Sequence, residues 1–120
     1  MKKVLIVEDN EKNLYLLRFL LEKLGHRIIE AKDGKSGVEI ALSEKPDVIL
    51  MDIQLPVMDG YETTRQIRLN EAFKDLPIIA ITSYAMAGDR EKALAAGCTD
   101  YIEKPIQPES FIRKIQEYIT

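Results

Sequence analysis

Short apolar runs of mostly branched side chains recur along the chain, and longer amphipathic stretches separate them. The clearest run is Val48 to Met51, which stands between Pro46 and Pro56. A run of this length and composition predicts a strand that is buried on both faces, as in the middle of a parallel sheet. The predicted strands are Val4 to Val7, Arg27 to Ala31, Val48 to Met51, Pro77 to Ile81 and Thr99 to Glu103.

The stretches between the strands carry apolar residues at helical spacing. Gly25 and Gly97 suit the position just after a helix, where a left-handed backbone is common. Asp9 or Asn10 can cap the first helix. The predicted helices are Glu11 to Leu24, Lys35 to Glu44, Tyr61 to about Leu69, Ala85 to Ala96 and Pro108 to about Ile119, with a polar connection over Asn70 to Asp75.

Strands and helices alternate along the whole chain, with short connections between them. This order predicts a parallel sheet that is covered by helices on both faces. Right-handed crossovers then bring the carboxyl ends of all the strands to one edge of the sheet. The sequence shows no linker, repeat or low-complexity segment, so we expect one domain over residues 1–120.

Polar side chains directly follow several of the predicted strands. They are Glu8 and Asp9 after the first strand, Asp52 after the third, Thr82 after the fourth and Lys104 after the fifth. Ligands of open α/β sheets bind in the crevice beyond the carboxyl ends of the strands. Burying an unpaired carboxylate is unfavourable, which makes Asp52 the first candidate for a working residue. Its position alone also fits an aspartate that only caps the following loop.

The residue types at this edge indicate a particular chemistry. Carboxylates held close together repel one another, so some bind protons unless a cation relieves the repulsion. A few hard oxygen ligands open to water suit Mg²⁺, and a loop carbonyl such as that of Gln54 can add another oxygen. Lys104 brings a positive charge and Thr82 a hydroxyl donor. These parts fit phosphoryl transfer to Asp52, in which positioning and electrostatics supply most of the catalysis.

The motifs at this edge resemble those of a known family. They are Glu8-Asp9-Asn10, Met51-Asp52-Ile53-Gln54-Leu55-Pro56-Val57-Met58-Asp59-Gly60, Ile81-Thr82-Ser83 and Lys104-Pro105. Together they are similar to the receiver domain of bacterial two-component response regulators, and the likeness covers essentially the whole chain. The resemblance implies an α/β, flavodoxin-like (βα)5 fold, with a five-stranded parallel sheet in the order 2-1-3-4-5 and helices on both faces.

The resemblance also implies how the acidic residues work. Asp52 takes a phosphoryl group from a phosphohistidine on a sensor histidine kinase or a histidine phosphotransfer protein. Mg²⁺ is held by Glu8, Asp9, Asp52 and the backbone carbonyl of Gln54, with Asp9 the more direct of the first pair. The family more often has aspartate where Glu8 stands, which implies that this side chain reaches the metal through water.

The same resemblance assigns the residues that respond to phosphorylation. Lys104 pairs with the phosphate, and its peptide bond to Pro105 is cis in this family. Thr82 and Tyr101 form a switch, which alters the surface of the fourth helix, fifth strand and fifth helix. The fourth helix is poor in large apolar residues, so we expect it to be loosely anchored. Ser83 stands where the family has a smaller residue, which implies narrower access to the phosphoryl group.

The first predicted helix carries more apolar residues than one buried face requires. Its core-facing set is Leu14, Leu17, Leu20, Leu21 and Leu24. Tyr15, Leu16 and Phe19 then fall largely on the other side. We predict that these three residues dock on the kinase or phosphotransfer protein, since exposed apolar groups often mark a contact surface. The alternative is that neighbouring loops cover them.

Composition bears on the class of partner and on the cellular compartment of the protein. The chain has 46% hydrophobic and 31% charged residues and a net charge of −3, which does not favour a nucleic-acid partner. Its single cysteine, Cys98, excludes an internal disulfide and suits a reducing compartment. The run Val4 to Val7 is too short to cross a membrane. We therefore expect a cytoplasmic protein that acts on a downstream protein target.

Other classes of protein and other motifs fit these residues less well. The chain stops after the fifth helix, which suggests a stand-alone signalling module rather than a domain cut from a longer protein. A phosphatase with an aspartyl nucleophile needs a carboxylate two residues further on, and Gln54 is not one. A flavin carrier needs a phosphate-binding loop, which Glu8-Asp9-Asn10 does not provide. Gly34-Lys35-Ser36 resembles the end of a P-loop, but Ile29 stands where that motif needs glycine.

Overall fold

Five parallel strands and five α-helices alternate along the described residues, 1–83 and 88–119, in the computed structural model. The strands are β1 (Lys3–Val7), β2 (Arg27–Ala31), β3 (Val48–Asp52), β4 (Ile78–Thr82) and β5 (Asp100–Glu103). The helices are α1 (Glu11–Lys23), α2 (Gly34–Glu44), α3 (Gly60–Arg68), α4 (Asp89–Ala96) and α5 (Pro108–Ile119).

The strands form one sheet in the order β2-β1-β3-β4-β5, and every neighbouring pair is parallel. This arrangement confirms the predicted flavodoxin-like fold. β1 and β3 pair from Val4 with Val48 to Val7 with Met51, so their ends lie side by side. Asp52, the last residue of β3, pairs with Ile81 near the end of β4.

The sheet separates two apolar cores, because alternate residues of each strand point to opposite faces. On one face, Ile6 and Leu50 pack with leucines of α1 and with Phe111 and Ile115 of α5. On the other face, Leu5 and Met51 belong to a cluster with residues of α2, α3 and α4. Each buried branched or aromatic side chain contributes about 1.5–3 kcal/mol to stability. The central strands are therefore fixed from both sides.

Polar side chains fix where three of the helices begin. The Oδ1 atom of Asn10 accepts a hydrogen bond from the backbone N–H of Asn13 at 3.0 Å, so Asn10 caps α1. Asp33 caps α2 in the same way and Asp59 caps α3. The predicted bounds of these three helices agree with the structure to within one residue.

The structure adds to the prediction at the fourth helix and at the connection after the third. The predicted start of the fourth helix, Ala85, lies outside the described residues, and within them α4 begins at Asp89. The stretch predicted as a polar connection, Asn70 to Asp75, contains a single turn of 3₁₀ helix at Glu71–Phe73. Phe73 is buried in that turn and packs in the core, which its polar neighbours obscured in the sequence.

Ile29, Cys98 and His26 have structural roles. Ile29 lies in β2 opposite Leu5, so the sequence before Gly34 is a strand rather than a P-loop. Cys98 is buried, and its Sγ atom lies 3.7 Å from the hydroxyl oxygen of Thr64. The Nδ1 atom of His26 accepts a hydrogen bond from the backbone N–H of Lys2 at 3.1 Å.

Among the described residues, no helix is long and apolar enough to span a lipid bilayer.

Gly60, the first residue of α3, allows the backbone to pass close to the end of β3. A Cβ atom at this position would lie 2.4 Å from the carbonyl oxygen of Asp52 and 2.7 Å from Cα of Ile53. We expect Gly60→Ala to lower the free energy of unfolding by about 1–3 kcal/mol, because backbone atoms must shift to admit the methyl group. Urea denaturation measures this loss.

Ser43→Ala, on the exposed side of α2, is the control for Gly60→Ala. We expect it to change the free energy of unfolding by less than about 0.5 kcal/mol. Equal stability of the two variants would contradict the close backbone approach at Gly60.

Candidate functional site

The carboxyl ends of the strands bring the predicted polar residues to one edge of the sheet. Glu8 follows β1, Asp52 ends β3 and Thr82 ends β4, and all three side chains are buried. Lys104 follows β5, and its backbone N–H donates to the carbonyl oxygen of Thr82 at 2.8 Å. The pairing of the parallel strands therefore fixes the backbone positions from which these side chains extend.

Asp52 is held by two donors on the same oxygen. Its Oδ1 atom accepts a hydrogen bond from the backbone N–H of Gln54 at 3.0 Å and from Nζ of Lys104 at 3.1 Å. The first contact is the loop-capping role that was considered from the sequence. The second is an ion pair in which Asp52 is 2% exposed and the lysine side chain 14% exposed. Asp52 thus caps the loop and also faces an ammonium group.

Glu8, Asp9 and Asp52 form an acidic cluster. Each offers one carboxylate oxygen, and these oxygens all lie within 4.8 Å of one another. Asp9 is exposed, so the cluster opens to solvent on one side. Nζ of Lys104 lies 3.6 Å from Oε1 of Glu8 and is the cation that the structure places beside the two buried carboxylates.

Burial and the crowding of carboxylates raise the pKa of Glu8. Burial, together with a hydrogen-bonding and charge interaction with Asp52, raises the pKa of its carboxyl from 4.5 to about 8. The backbone N–H of Asn10 and the ammonium of Lys104 act in the opposite direction. Among the described residues, Oε1 of Glu8 is a buried side-chain oxygen that lacks a hydrogen-bond partner. An orphaned carboxylate oxygen beside two others is a donor set that fits Mg²⁺.

The loop after β3 is tied to the loop after β4 by a side chain. Oε1 of Gln54 accepts a hydrogen bond from the backbone N–H of Ser83 at 3.2 Å. The sequence did not reveal this side-chain contact. The role of the backbone carbonyl of Gln54 as a metal ligand remains a prediction. The peptide bond between Lys104 and Pro105 is cis, as the resemblance implied.

Tyr101 lies in β5 and is half-buried against the core shared by α2, α3 and α4. The guanidinium carbon of Arg90, on α4, lies 6.0 Å from the centroid of its ring. A cation at this distance from a ring face is attracted to it. Tyr101 therefore connects β5 to α4, while its role in a switch remains a prediction.

The sequence did not reveal a polar network beside Tyr101. Asp100 accepts a hydrogen bond from the hydroxyl of Tyr118 at 2.8 Å and one from Nζ of Lys114 at 3.2 Å. Burial and the contact with Asp100 raise the pKa of Tyr118 to about 12. The spacing of Lys114 and Tyr118 was the sequence signal that could have indicated a shared partner, since residues four apart lie on the same helix face.

Arg68, at the end of α3, is a second polar brace that the sequence did not reveal. Its Nε–H donates to the carbonyl oxygen of Gly97 at 2.9 Å, and Nη1 donates to that of Phe73 at 2.6 Å. Gly97 has φ 112°, and a Cβ atom there would lie 2.9 Å from Cγ of Arg68. The guanidinium thus ties the end of α4 to α3 and the 3₁₀ turn.

The predicted docking residues of α1 separate into two environments. Tyr15 is 68% exposed and Phe19 51% exposed, and their rings stack with centroids 6.4 Å apart. Nζ of Lys23 lies 5.9 Å from the centroid of the Phe19 ring. Leu16 is instead half-buried against the core beneath α1, so its placement on the outer side with the two aromatic residues was wrong. Leu24 is also only half-buried.

Comparison with known proteins identifies the class to which this fold and edge belong. The family model described as the response regulator receiver domain matches residues 4–116. The chain belongs to the response regulator receiver domain family, which confirms the resemblance found in the sequence and places the protein in two-component phosphorelay signalling.

Relatives and solved structures agree with this membership. The polar-differentiation response regulator DivK of Brucella ovis is 43% identical over 118 residues, which cover 98% of this chain and 96% of that protein. The receiver domain of sensor histidine kinase PA1611 from Pseudomonas aeruginosa PAO1, solved with magnesium coordinated in its active-site cleft, is 42% identical with a TM-score of 0.90. The match covers 98% of this chain and 97% of that chain.

A further neighbour was solved with a partner. It is the receiver domain of Ssk1 from Saccharomyces cerevisiae in complex with the histidine phosphotransfer protein Ypd1. It is 35% identical to this chain with a TM-score of 0.88, and the match covers 98% of this chain and 88% of that chain.

The raised pKa of Glu8 predicts how stability depends on pH without divalent cations. Between pH 4.5 and about 8 the folded protein holds a proton on Glu8 that the unfolded chain releases. We therefore expect the free energy of unfolding to fall as pH rises through this range, and the Glu8→Gln variant to lose that fall. Urea denaturation at several pH values in the presence of a chelator measures the slope.

Glu22→Gln, on the exposed side of α1, is the control for this experiment and should keep the wild-type slope. Saturating Mg²⁺ should stabilise the wild type most at the high end of the range, because a bound cation favours the folded state with ionised ligands. A Glu8→Gln variant with the wild-type slope would contradict the raised pKa.

Proposed function

We propose that Asp52 accepts a phosphoryl group from a phosphohistidine on a sensor histidine kinase or a histidine phosphotransfer protein. The observation that carries this proposal is the buried carboxylate of Asp52, which lies between the ammonium of Lys104 and the acidic pair Glu8 and Asp9. The protein is a signalling module that catalyses only its own phosphorylation and dephosphorylation.

In the forward step a carboxylate oxygen of Asp52 bonds to phosphorus while the bond from phosphorus to the histidine nitrogen breaks. The electron pair of the broken bond stays on the imidazole, which then takes a proton. Lys104 attracts the phosphoryl oxygens because its Nζ already lies 3.1 Å from Oδ1 of Asp52. Water reverses the modification by attacking phosphorus, which releases phosphate and restores the carboxylate.

We assign Mg²⁺ to the acidic cluster, held by Glu8, Asp9, Asp52 and the backbone carbonyl of Gln54. When bound, Mg²⁺ supplies positive charge that offsets the carboxylates and the developing charge on the phosphoryl oxygens. The similar receiver domain of PA1611 has magnesium in its active-site cleft. In this chain the orphaned Oε1 of Glu8 supports the same assignment.

The phosphoryl donor docks on α1 through Tyr15, Leu16 and Phe19. The stacked rings of Tyr15 and Phe19 form an exposed apolar surface, and Leu16 lies half-buried against the core on the same helix. α1 begins at Glu11, after Glu8, Asp9 and the capping residue Asn10, so a partner on the first turns of this helix lies next to the site. Ssk1, which this chain resembles, was solved with a histidine phosphotransfer protein.

Phosphorylation is felt at the surface of α4, β5 and α5. The hydroxyl of Thr82 moves toward the new charge, and the ring of Tyr101 follows into the space that it leaves. This motion weakens the contact of the ring with Arg90 and so repositions α4, which buries only the small residues Ala93 and Ala96 in its described part. A coupling of about 1–3 kcal/mol suffices for such a switch.

The switched surface binds a downstream protein rather than nucleic acid, which agrees with the net charge of −3. The buried free thiol of Cys98 suits a reducing compartment, so we place this signalling in the cytoplasm.

Asp52→Asn tests the acceptor directly. With acetyl phosphate and Mg²⁺ we expect the wild type to gain the mass of one phosphoryl group and Asp52→Asn to gain none, because an amide is not a competent nucleophile for this step. Lys104→Gln should slow the uptake by about a hundredfold, the usual effect of removing a group that stabilises transition-state charge. Intact-mass spectrometry over time measures all three proteins.

Asp59→Asn is the matched control for Asp52→Asn. Asp59 lies in the same loop and is exposed, and asparagine caps a helix as well as aspartate does. This variant should take up the phosphoryl group at the wild-type rate. Uptake by Asp52→Asn, or a loss in Asp59→Asn as complete as the loss expected of Asp52→Asn, would overturn the assignment of the acceptor.

Phe19→Ala tests the docking surface. We expect transfer from a phosphohistidine donor protein to slow about tenfold or more, since losing a central aromatic contact commonly costs 1–2 kcal/mol of binding. Phosphorylation by acetyl phosphate should remain at the wild-type rate, because this small donor needs no docking surface. Quenched time courses of phosphorylation with each donor distinguish a loss of docking from a loss of chemistry at Asp52.

Leu69→Ala is the control for Phe19→Ala. Leu69 is 83% exposed and follows the end of α3, at the sheet edge opposite the site. It should leave both rates unchanged. An unaltered rate of protein-to-protein transfer in Phe19→Ala would exclude α1 as the docking surface.

A further inference from the structure

The chain has a single histidine, His26, and its ring connects the residues that lead into β1 and β2. Nδ1 of His26 accepts a hydrogen bond from the backbone N–H of Lys2 at 3.1 Å. The carbonyl oxygen of Lys2 accepts in turn from the backbone N–H of Arg27 at 2.9 Å. The main chain of Lys2 is thus held through both its donor and its acceptor. These bonds lie at the amino ends of the strands, at the sheet edge opposite Asp52.

The bond to Lys2 depends on the charge of the imidazole ring. In a neutral ring one nitrogen accepts and the other carries the proton, whereas both nitrogens of the charged ring are donors. Acceptance at Nδ1 of His26 therefore requires the neutral form with its proton on Nε2. A proton on Nδ1 would face the N–H of Lys2, donor against donor, and the bond would be lost.

The surroundings of His26 favour the neutral ring. Its side chain is half-buried, and the charged groups that act on it are the amino group of Met1 and the ammonium of Lys2. Burial, followed by these two positive charges, holds the pKa of His26 below its usual value of about 6.5. From α1 the ring's residue meets a main-chain group, because the carbonyl oxygen of Leu21 accepts from the N–H of His26 at 3.1 Å. Among the described residues, no carboxylate stabilises the charged ring.

We propose that the contact between His26 and Lys2 is a pH-sensitive switch, which holds the start of β2 against β1 when the ring is neutral and releases it when the ring is protonated. β2 is an edge strand that pairs with β1. Release therefore frees the first bond of this pairing, from Arg27 to Lys2, and turns its main-chain groups toward solvent. The inference does not rest on the proposed function of Asp52.

The next residue of the chain limits how far the release extends. The backbone N–H of Lys3 donates to Oδ2 of Asp47 at 2.7 Å, and its carbonyl oxygen accepts from the N–H of Asp47 at 2.7 Å. Nζ of Lys3 also donates to the carbonyl oxygen of Glu44 at 2.8 Å. These bonds fasten β1 to the segment before β3 and do not involve His26. Release at Lys2 should therefore stop before Lys3.

NMR of the whole protein measures the switch. At neutral pH we expect the ring nitrogens of His26 to show the form with its proton on Nε2. Between about pH 7 and about pH 5, where histidine titrates, the protection of the Lys2 and Arg27 N–H groups from hydrogen exchange should fall about two- to tenfold, relative to the intrinsic rate at each pH. This is the factor that one ordinary hydrogen bond controls. The N–H of Lys3 should keep its protection and serves as the internal control.

His26→Asn is the matched variant, because asparagine places an acceptor oxygen where Nδ1 stands and does not titrate. It should keep the N–H of Lys2 protected over the whole pH range. His26→Ala removes the acceptor, so we expect it to lower this protection about two- to tenfold at every pH.

A ring that carries its proton on Nδ1 at neutral pH would overturn the contact. A His26→Asn variant that loses protection at Lys2 as the wild type does would overturn the role of the histidine. Equal losses at Lys2 and Lys3 would overturn a switch confined to the start of β2. None of these measurements uses phosphate or metal, so their outcome is independent of the chemistry at Asp52.

Discussion

Repulsion among carboxylates at one edge of a parallel sheet is the constraint on which the rest of this protein depends. Glu8 and Asp52 are buried within reach of each other, and the ammonium of Lys104 touches both. One ammonium does not balance two carboxylates and the exposed Asp9 beside them. The site therefore has two ways to settle: it keeps a proton on Glu8, or it binds a divalent cation.

The fold supplies the rigidity that holds these charges together. Carboxylates on flexible segments would move apart, because separation in water removes most of their repulsion. β1 and β3 are buried strands at the centre of the sheet, and they end in register beside each other. The close approach of Gly60 to the carbonyl oxygen of Asp52 fixes the loop that follows. The packing of the core thus compensates for the repulsion among the carboxylates at the edge of the sheet.

The sequence was informative where one interaction dominates locally. Buried strands such as Val48–Asp52 have a distinctive apolar composition, and helix starts depend on single capping residues such as Asp59. The acidic and basic members of the site were predictable because each directly follows a strand, and parallel topology then brings them together. Phe73 was missed, because a buried residue in a single helical turn leaves no periodic pattern in the sequence.

Contacts between distant side chains could not be predicted in this way. Nothing in the local sequence shows that Gln54 reaches Ser83, or that Arg68 reaches Gly97, because the members of each pair are far apart in the chain and meet only after folding. The predicted position of Leu16 on the outer side of α1 was wrong for a related reason, since the structure places this residue against the core. A helix face is broad, and only the packing of α1 beside its neighbours decides which of its border residues are covered.

The Arg68 brace gives α4 two unequal ends. At its last turn the guanidinium clasps Gly97, whose backbone conformation leaves no room for a larger residue. At its first turn, within the described part of the chain, Gly88 supplies no side-chain cap. Among the described residues, α4 is thus tied to α3 by a side chain at its last turn, whereas its first turn lacks a side-chain cap at Gly88. A rotation of α4 relative to the sheet would then have its pivot near Gly97.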